Sequence, residues 1–245
     1  MRLDGRIALV TGASRGLGAA VAVRFAAAGA HVVLLARSVG GLEATDDAIR
    51  AAGGAATLIP LDLLEFDKID QLGAALSQRF GRLDILVGAA AVLGTLSPIG
   101  HFDPKAWQEV MAVNATANWR LVRALDPLLR LSPAGRAVFV TCAVARDLPP
   151  YWGAYAASKA ALEAMVRVYA AEMAQTTVRA NLIDPGPLGT RLRAAAFPRE
   201  DRARLRPPEE AAEAFVALAV AECEANGTLV TLPPEGEVAA VAPGA

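Results

Sequence analysis

The sequence of 245 residues predicts an α/β fold in which a doubly wound, mostly parallel sheet of seven strands lies between two layers of helices. Short runs rich in Leu and β-branched residues alternate with longer Ala-rich segments that carry scattered charges, which is typical of buried parallel strands covered on both faces. A glycine-rich turn joins the first apolar run to the first helical segment. The length suits one such sheet, so we expect residues 1–245 to form a single domain.

The apolar runs place strands, in chain order, near 6–11, 31–36, 56–60, 83–89, 136–142, 178–183 and 228–232. Helices are expected between them, near 16–28, 39–52, 65–80, 104–131, 155–175 and 208–224. The stretch near 187–207 interrupts this alternation because it is irregular and rich in arginine. We predict that it forms a mobile flap over the functional site.

Composition and charge argue against several classes of protein. The 24 Lys and Arg residues balance 25 Asp and Glu residues, so no overall field attracts nucleic acid or an anionic membrane. The longest apolar stretch, from Ile85 to Gly94, is far shorter than the roughly 20 residues of a membrane span. Cys142 and Cys223 lie far apart without metal-ligand spacing, and the first residues run directly into an apolar strand. We expect a cytoplasmic protein that holds no metal and binds neither nucleic acid nor membrane.

A glycine-rich loop, Thr11-Gly12-Ala13-Ser14-Arg15-Gly16-Leu17-Gly18, follows the first predicted strand. It is a variant of the dinucleotide fingerprint of Rossmann-type domains, in which glycines allow a tight turn and the pyrophosphate meets a helix N-terminus. The alternative is an ordinary turn, which the position between the first strand and the first helix disfavours. The residues that we predict to bind the dinucleotide here are Gly12, Ser14, Arg15, Gly16, Leu17 and Gly18.

The end of the second strand indicates which dinucleotide is bound. An NAD site usually holds the ribose hydroxyls with an acidic residue about 20 positions after the loop. The chain has no Asp or Glu between Asp4 and Glu43, whereas Arg37 ends the second strand. Arg37, helped by Arg15, can pair with a 2′-phosphate through charge-assisted hydrogen bonds, so we expect NADP(H) as the cofactor. The alternative is that both arginines are solvated surface charges.

Tyr155 and Lys159 are four residues apart and therefore share one face of a predicted helix. A free phenol has a pKa of about 10, and lowering it to about 7 requires roughly 4 kcal/mol of preferential phenolate stabilisation. A neighbouring lysine and a nicotinamide cation can supply much of this. Taken alone, such a pair is common on helices and indicates nothing.

With these motifs in this order, the chain resembles the short-chain dehydrogenase/reductase family over about 230 residues, since Tyr-x-x-x-Lys follows the glycine loop by about 140 residues. The resemblance implies that Tyr155 is the general acid/base and that Lys159 binds the nicotinamide ribose and lowers the tyrosine pKa. It also implies that Asp62 contacts the adenine and that Asn114 holds a water of the proton relay. Further predicted cofactor contacts are Leu63, Ala90, Pro185, Gly186, Leu188 and Thr190.

Three positions depart from the family's usual pattern. Cys142 stands where a catalytic Ser usually lies, and a thiol is a weaker donor with a longer reach. Neighbouring Thr141 should point to the opposite face of the strand. Gly88-Ala89-Ala90-Ala91 replaces Asn-Asn-Ala-Gly, which removes two amides that tie neighbouring strands together. The segment Leu232 to Gly236 replaces a pair of glycines after the last strand.

We predict an oxidoreductase that transfers a hydride between NADP(H) and a small-molecule carbonyl or secondary alcohol, with Tyr155, Lys159, Asn114 and Cys142 as its catalytic residues. The alternative is a degenerate relative that binds a dinucleotide with little catalysis, in which Cys142 is only a small buried residue. The resemblance also implies a homodimer or homotetramer. Small residues on the Tyr155 helix fit helix-to-helix packing or contact with the sheet: Ala156, Ala160, Ala164 and Ala171.

Overall fold

The computed structural model describes residues 2–233, in which seven strands form one sheet with every neighbouring pair parallel. The strands are β1 (Ile7–Thr11), β2 (His31–Ala36), β3 (Ala56–Pro60), β4 (Ile85–Gly88), β5 (Arg136–Val140), β6 (Arg179–Asp184) and β7 (Leu229–Thr231). Their order across the sheet is β3-β2-β1-β4-β5-β6-β7. This confirms the predicted doubly wound Rossmann-type fold.

The α-helices lie between the strands in sequence. They are α1 (Gly16–Ala27), α2 (Val39–Ala51), α3 (Phe66–Phe80), α4 (Pro104–Met111), α5 (Ala117–Arg130), α6 (Val144–Asp147), α7 (Gly153–Glu172), α8 (Arg191–Ala196) and α9 (Pro208–Ala219). Residue 1 and residues 234–245, which include part of the departure after the last strand, lie outside the described residues.

The prediction of one uniform helix near 104–131 is wrong in its middle. Ala112–Thr116 form a π-helical turn between α4 and α5, and Asn114 lies inside it. π turns widen the helix locally and occur often at functional sites. The predicted end of the last helix near 224 is also wrong, because Val220 adopts an extended conformation after Ala219. The short helices α6 and α8 were not predicted, since each has at most six residues and no measurable periodicity.

The core consists of two layers because side chains alternate along each strand. On one face of the sheet, Leu9, Leu86 and Phe139 pack against buried residues of α3, α5 and α7. On the other face, Val10, Val87 and other buried strand residues pack against α1, α2 and α9. The strands are apolar on both sides, as expected for a parallel sheet covered by two helix layers.

Buried charges hold the amino-terminal edge of the sheet together. The Arg6 guanidinium donates hydrogen bonds to the carbonyl oxygens of Asp84, Ala134 and Ala219. Burial lowers the pKa of Arg6 to about 10, so the group stays protonated at neutral pH. The Asp84 carboxylate accepts from the backbone N–H of Ile7 at 2.9 Å. These bonds close one edge of the sheet and leave the carboxyl edge for ligands.

The carboxyl edge contains a crevice where the strand order reverses. The chain places β2 and β3 on one side of β1, and β4 to β7 on the other. The connections after β1 and β4 therefore diverge, which opens a ligand crevice between the strand ends. Between residues 2 and 233, no helix is both long and apolar enough to cross a membrane. In the same part of the chain, no three His, Cys, Asp or Glu side chains cluster to hold a metal ion.

Candidate active site

A cavity of about 550 Å³ occupies this crevice at the carboxyl ends of the strands. All the predicted cofactor residues line it, from the glycine loop through Arg37, Asp62, Leu63 and Ala90 to the segment Pro185–Thr190. Three of the four predicted catalytic residues also line it, namely Cys142, Tyr155 and Lys159. The structure therefore brings together residues that are separated by more than a hundred positions in the chain.

The glycine loop leaves room for a ligand beside the backbone. Gly12 has φ of +68°, and a Cβ there would lie 2.9 Å from Cα of Ala90, so no other residue fits. Thr11 fixes the facing segment, since its hydroxyl accepts from the backbone N–H groups of Ala89 and Ala90 at 3.1 Å. No side chain caps the start of α1, so the N-terminal N–H groups of this helix are available to an anion.

Arg15, at the start of α1, and Arg37, directly after β2, both line the cavity. The chain has no acid nearby in sequence, but Asp62 of the β3 end approaches Arg37, with 3.6 Å between Nη1 and Oδ2. The absence of acidic residues near Arg37 in the sequence therefore does not hold in three dimensions, where Asp62 lies beside it. An ion pair at this distance with an exposed arginine is weak, so Arg37 stays available to a phosphate.

Tyr155 and Lys159 lie side by side on α7, at the base of the cavity. Lys159 is buried, and its Nζ donates to the carbonyl oxygen of Val140 at 2.7 Å and lies 5.8 Å from the centre of the Tyr155 ring. Burial raises the pKa of Tyr155 well above its usual value and lowers the pKa of Lys159. The phenol is therefore a neutral proton donor at neutral pH. The lowered tyrosine pKa that the family resemblance implies stays a prediction for the protein with its cofactor bound.

Cys142 lies beside Tyr155 just after the end of β5. Burial raises the pKa of the Cys142 thiol, so it remains protonated and able to donate a weak hydrogen bond. The Cys142 thiol also contributes to the raised pKa of Tyr155, after burial. The hydroxyl of Thr141 donates to Oε1 of Glu163 at 2.8 Å, so it does not replace the usual serine.

Asn114 is buried in the π turn and does not line the cavity. Its Oδ1 accepts from the backbone N–H of Val92, and its Nδ2 donates to the carbonyl of Val92 and to Oγ of Ser158, at 2.9 to 3.0 Å. This side chain clamps the segment after β4 to α7. Both hydrogens of Nδ2 are thus used, and the Asn114 carbonyl oxygen accepts from Nδ2 of Asn118 at 2.9 Å.

The space left by the unusual Gly88 is filled by two other side chains. A Cβ on Gly88 would lie 2.4 Å from Cδ1 of Phe139 and 2.6 Å from Oδ1 of Asn118. Asn118 is buried, and its Nδ2 donates to the carbonyl oxygen of Asn114. The departure is therefore a repacking, and the strand end remains ordered around it.

Part of the segment near 187–207 lines the cavity, and the segment makes an aromatic contact with the start of α7. The ring of Phe197 lies 5.7 Å from that of Trp152, which in turn meets the Tyr155 ring at 5.8 Å. The Arg193 guanidinium stacks 3.8 Å from the centre of Phe197 and is paired with Glu200. Arg191, Arg193 and Arg202 all line the cavity.

Three buried or half-buried charged residues near the site were missed by the sequence analysis: Arg146, Glu163 and Asp184. Glu163 follows Tyr155 and Lys159 at the same helical spacing, so periodicity alone would have placed it on their face of α7. The other two come together with it only through the fold.

A Gly88→Asn variant, which restores the residue usual in the family, should lower the free energy of unfolding by about 1–3 kcal/mol because its Cβ overlaps Phe139 and Asn118. Urea unfolding followed by circular dichroism measures this change. Gly40→Ala is the control, since a Cβ there meets nothing within 4 Å. Equal stability of Gly88→Asn and the unmodified protein would contradict the repacking.

The sequence matches a family of known proteins. The family model described as short chain dehydrogenase matches residues 6–201. The chain is 41% identical over 211 residues to the uncharacterized oxidoreductase YciK of Escherichia coli (strain K12), covering 85% of this chain and 83% of that protein.

Solved structures agree with this match. A short chain dehydrogenase of Shigella flexneri complexed with NADP has a TM-score of 0.89 and 37% identity, covering 94% of this chain and 97% of that one. One from Escherichia coli CFT073 complexed with NADPH has a TM-score of 0.89 and 38% identity, with the same two shares covered.

Proposed function

Because the chain belongs to the short-chain dehydrogenase family, we propose that it transfers a hydride between NADP(H) and a small-molecule carbonyl compound or secondary alcohol. The observation that carries this proposal is the placement of Tyr155 and Lys159 in the same cavity as the glycine loop. A proton donor thus lies in one space with a dinucleotide-binding loop.

The cavity fits NADP(H) at three points. The uncapped N-terminus of α1 suits the pyrophosphate. A Cβ at Gly12 or Gly18 would collide with neighbouring backbone atoms, so both positions require glycine and no side chain there obstructs the pyrophosphate. Arg37 and Arg15 suit the 2′-phosphate. Two structural neighbours are complexed with NADP or NADPH, which supports the same cofactor here. When bound, the cofactor supplies or accepts the hydride.

Tyr155 is the general acid for reduction, because its neutral phenol faces the cavity and can donate a proton to the carbonyl oxygen. The Cys142 thiol donates a second, weaker hydrogen bond to the same oxygen, where negative charge develops. The Lys159 ammonium stabilises the phenolate that results. Asn114 keeps α7 and the segment after β4 in register for this step.

The substrate side of the cavity is covered by the segment near 187–207, which we propose as the flap. Trp152 and Phe197 give it an aromatic wall, and opening requires their contact to break. The free thiols Cys142 and Cys223 suit a reducing compartment, so we place the enzyme in the cytoplasm. Residues 1–245 act as one domain in this proposal.

Arg37→Ala should weaken NADPH binding by about tenfold or more and leave NADH binding nearly unchanged, since a charge-assisted hydrogen bond contributes roughly 1.5–3 kcal/mol. Fluorescence titration of each cofactor measures this. Arg50→Ala is the control, because Arg50 is an exposed residue of α2 outside the cavity. Equal loss of affinity for both cofactors would show that Arg37 does not read the 2′-phosphate.

Cys142→Ser should raise turnover on simple ketones, because a well-placed donor to the developing oxyanion is worth about 10²–10³ in rate and the thiol supplies only part of it. Cys142→Ala should lower turnover, and Tyr155→Phe should nearly abolish it. NADPH consumption with a carbonyl panel measures all three, with Cys223→Ser as the cysteine control. If Cys142→Ser gains nothing and Tyr155→Phe loses nothing, the site is vestigial and the protein is a dinucleotide-binding relative.

We also propose a homodimer or homotetramer that associates through α5 and α7. Ala156 is buried, but Ala164 and Ala171 of α7 are exposed, as are the large side chains of Trp119 and Val168. Trp119→Glu should shift the mass in light scattering to that of a monomer, whereas Val39→Glu on the opposite helix layer should leave the mass unchanged. A monomeric unmodified protein at micromolar concentration would reject this.

A further inference from the structure

Arg146 of α6 bridges two buried carboxylates beside the proposed active site. Its Nη1 donates to Oε1 of Glu163 and its Nη2 donates to Oδ2 of Asp184, each at 2.5 Å. The side chains of Glu163 and Asp184 are only 5% and 3% exposed. Buried carboxylates are usually paired and hydrogen-bonded, and Arg146 contacts both of these, whereas Arg167 contacts only Glu163.

Each carboxylate is also tied to an element of the site. Glu163 accepts from the hydroxyl of Thr141, the residue before Cys142, at 2.8 Å. Asp184 accepts from the backbone N–H of Gly186, within the segment Pro185–Thr190, at 3.0 Å. One guanidinium therefore connects the ends of β5 and β6 to α7.

The bridge continues the row of side chains that carries the chemistry. Tyr155, Lys159 and Glu163 follow one another at intervals of four residues, so they share one face of α7. That face meets the β5 end twice, through Lys159 and the Val140 carbonyl and through Glu163 and Thr141. A shift of Glu163 would thus move the helix turn that holds Lys159.

We propose that Arg146 is a positioning residue of the active site, which holds α7 and the segment Pro185–Thr190 in register by clamping Glu163 and Asp184. This inference rests on the proposed function. Arg146 does not itself line the cavity, so it acts through the two carboxylates.

The charges around the Tyr155 phenol predict the direction in which its pKa changes when Arg146 or Asp184 is replaced. The groups near it are Cys142 after β5, Lys159 and Glu163 on α7, Asp184 at the end of β6, and Arg146 on α6. The Asp184 carboxylate raises the pKa of Tyr155, after burial and Cys142. Removing Arg146 leaves this negative charge uncompensated, whereas removing the Asp184 charge relieves it.

The decisive variants are Arg146→Met and Asp184→Asn. In alcohol oxidation, the pH at which kcat/KM reaches half of its maximum should move upward in Arg146→Met and downward in Asp184→Asn, each by about one pH unit. Arg146→Met should also lose roughly 10-fold to 100-fold in kcat through misplacement of α7, and Arg146→Lys should recover part of it. Arg167→Met is the matched control, since Arg167 contacts Glu163 at 3.2 Å and has no contact with Asp184.

A second readout does not require turnover. In a Cys223→Ser background, the pH dependence of Cys142 alkylation by iodoacetamide reports the same charges, because burial raises the pKa of that thiol, Lys159 lowers it and Asp184 raises it further. The alkylation curve should move in the same two directions as the activity curve. Loss of thermal stability with both curves unmoved, measured well below the unfolding temperature, overturns the proposal. Absence of Tyr155-dependent turnover with shifted alkylation curves overturns the proposed function and leaves the positioning role standing.

Discussion

The site depends on how α7 is held against the ends of β5 and β6 by polar side chains that are almost completely buried. Lys159, Ser158 and Glu163 all point from this helix into the protein, and each finds a partner there. An unpaired polar group in such surroundings costs about 1–3 kcal/mol, so these bonds must form together. They set the depth and rotation of the helix, and hence the position of the Tyr155 phenol in the cavity.

The sequence predicted those parts of the site whose residues lie close together in the chain. The glycine loop and the Tyr155–Lys159 pair lie within single turns of structure, and the alternation of apolar runs is sufficient to place them at the carboxyl edge of one parallel sheet. Arg37 was also predicted at the site, because it ends a strand that the apolar pattern marks clearly, and it lines the cavity. Asp62 was predicted as an adenine contact, but its ion pair with Arg37 was not, since the two residues approach only through the pairing of β2 with β3.

Long-range partners explain what the sequence did not predict. Nothing local shows that the Asn114 amide is committed to Val92 and Ser158, and the π turn around it has no pattern of its own. The sequence indicated that Gly88 removes an amide that ties neighbouring strands together. In the structure, the side chains of Phe139 and Asn118, from two other elements, fill the space beside Gly88. The bridge from Arg146 to Glu163 and Asp184 could not be predicted for the same reason. Its three residues meet only when two strand ends and a helix come together in the fold.

The central claim is that this cavity transfers a hydride and uses Tyr155 to move the proton. The most direct test is a reduction with NADPH that carries deuterium at both C4 positions of the nicotinamide, with the product alcohol examined by mass spectrometry and NMR. Deuterium should appear at the carbinol carbon in one stereochemical sense, and the Tyr155→Phe variant should form almost no product. Product without deuterium, or labelled product formed equally well by Tyr155→Phe, would contradict the account.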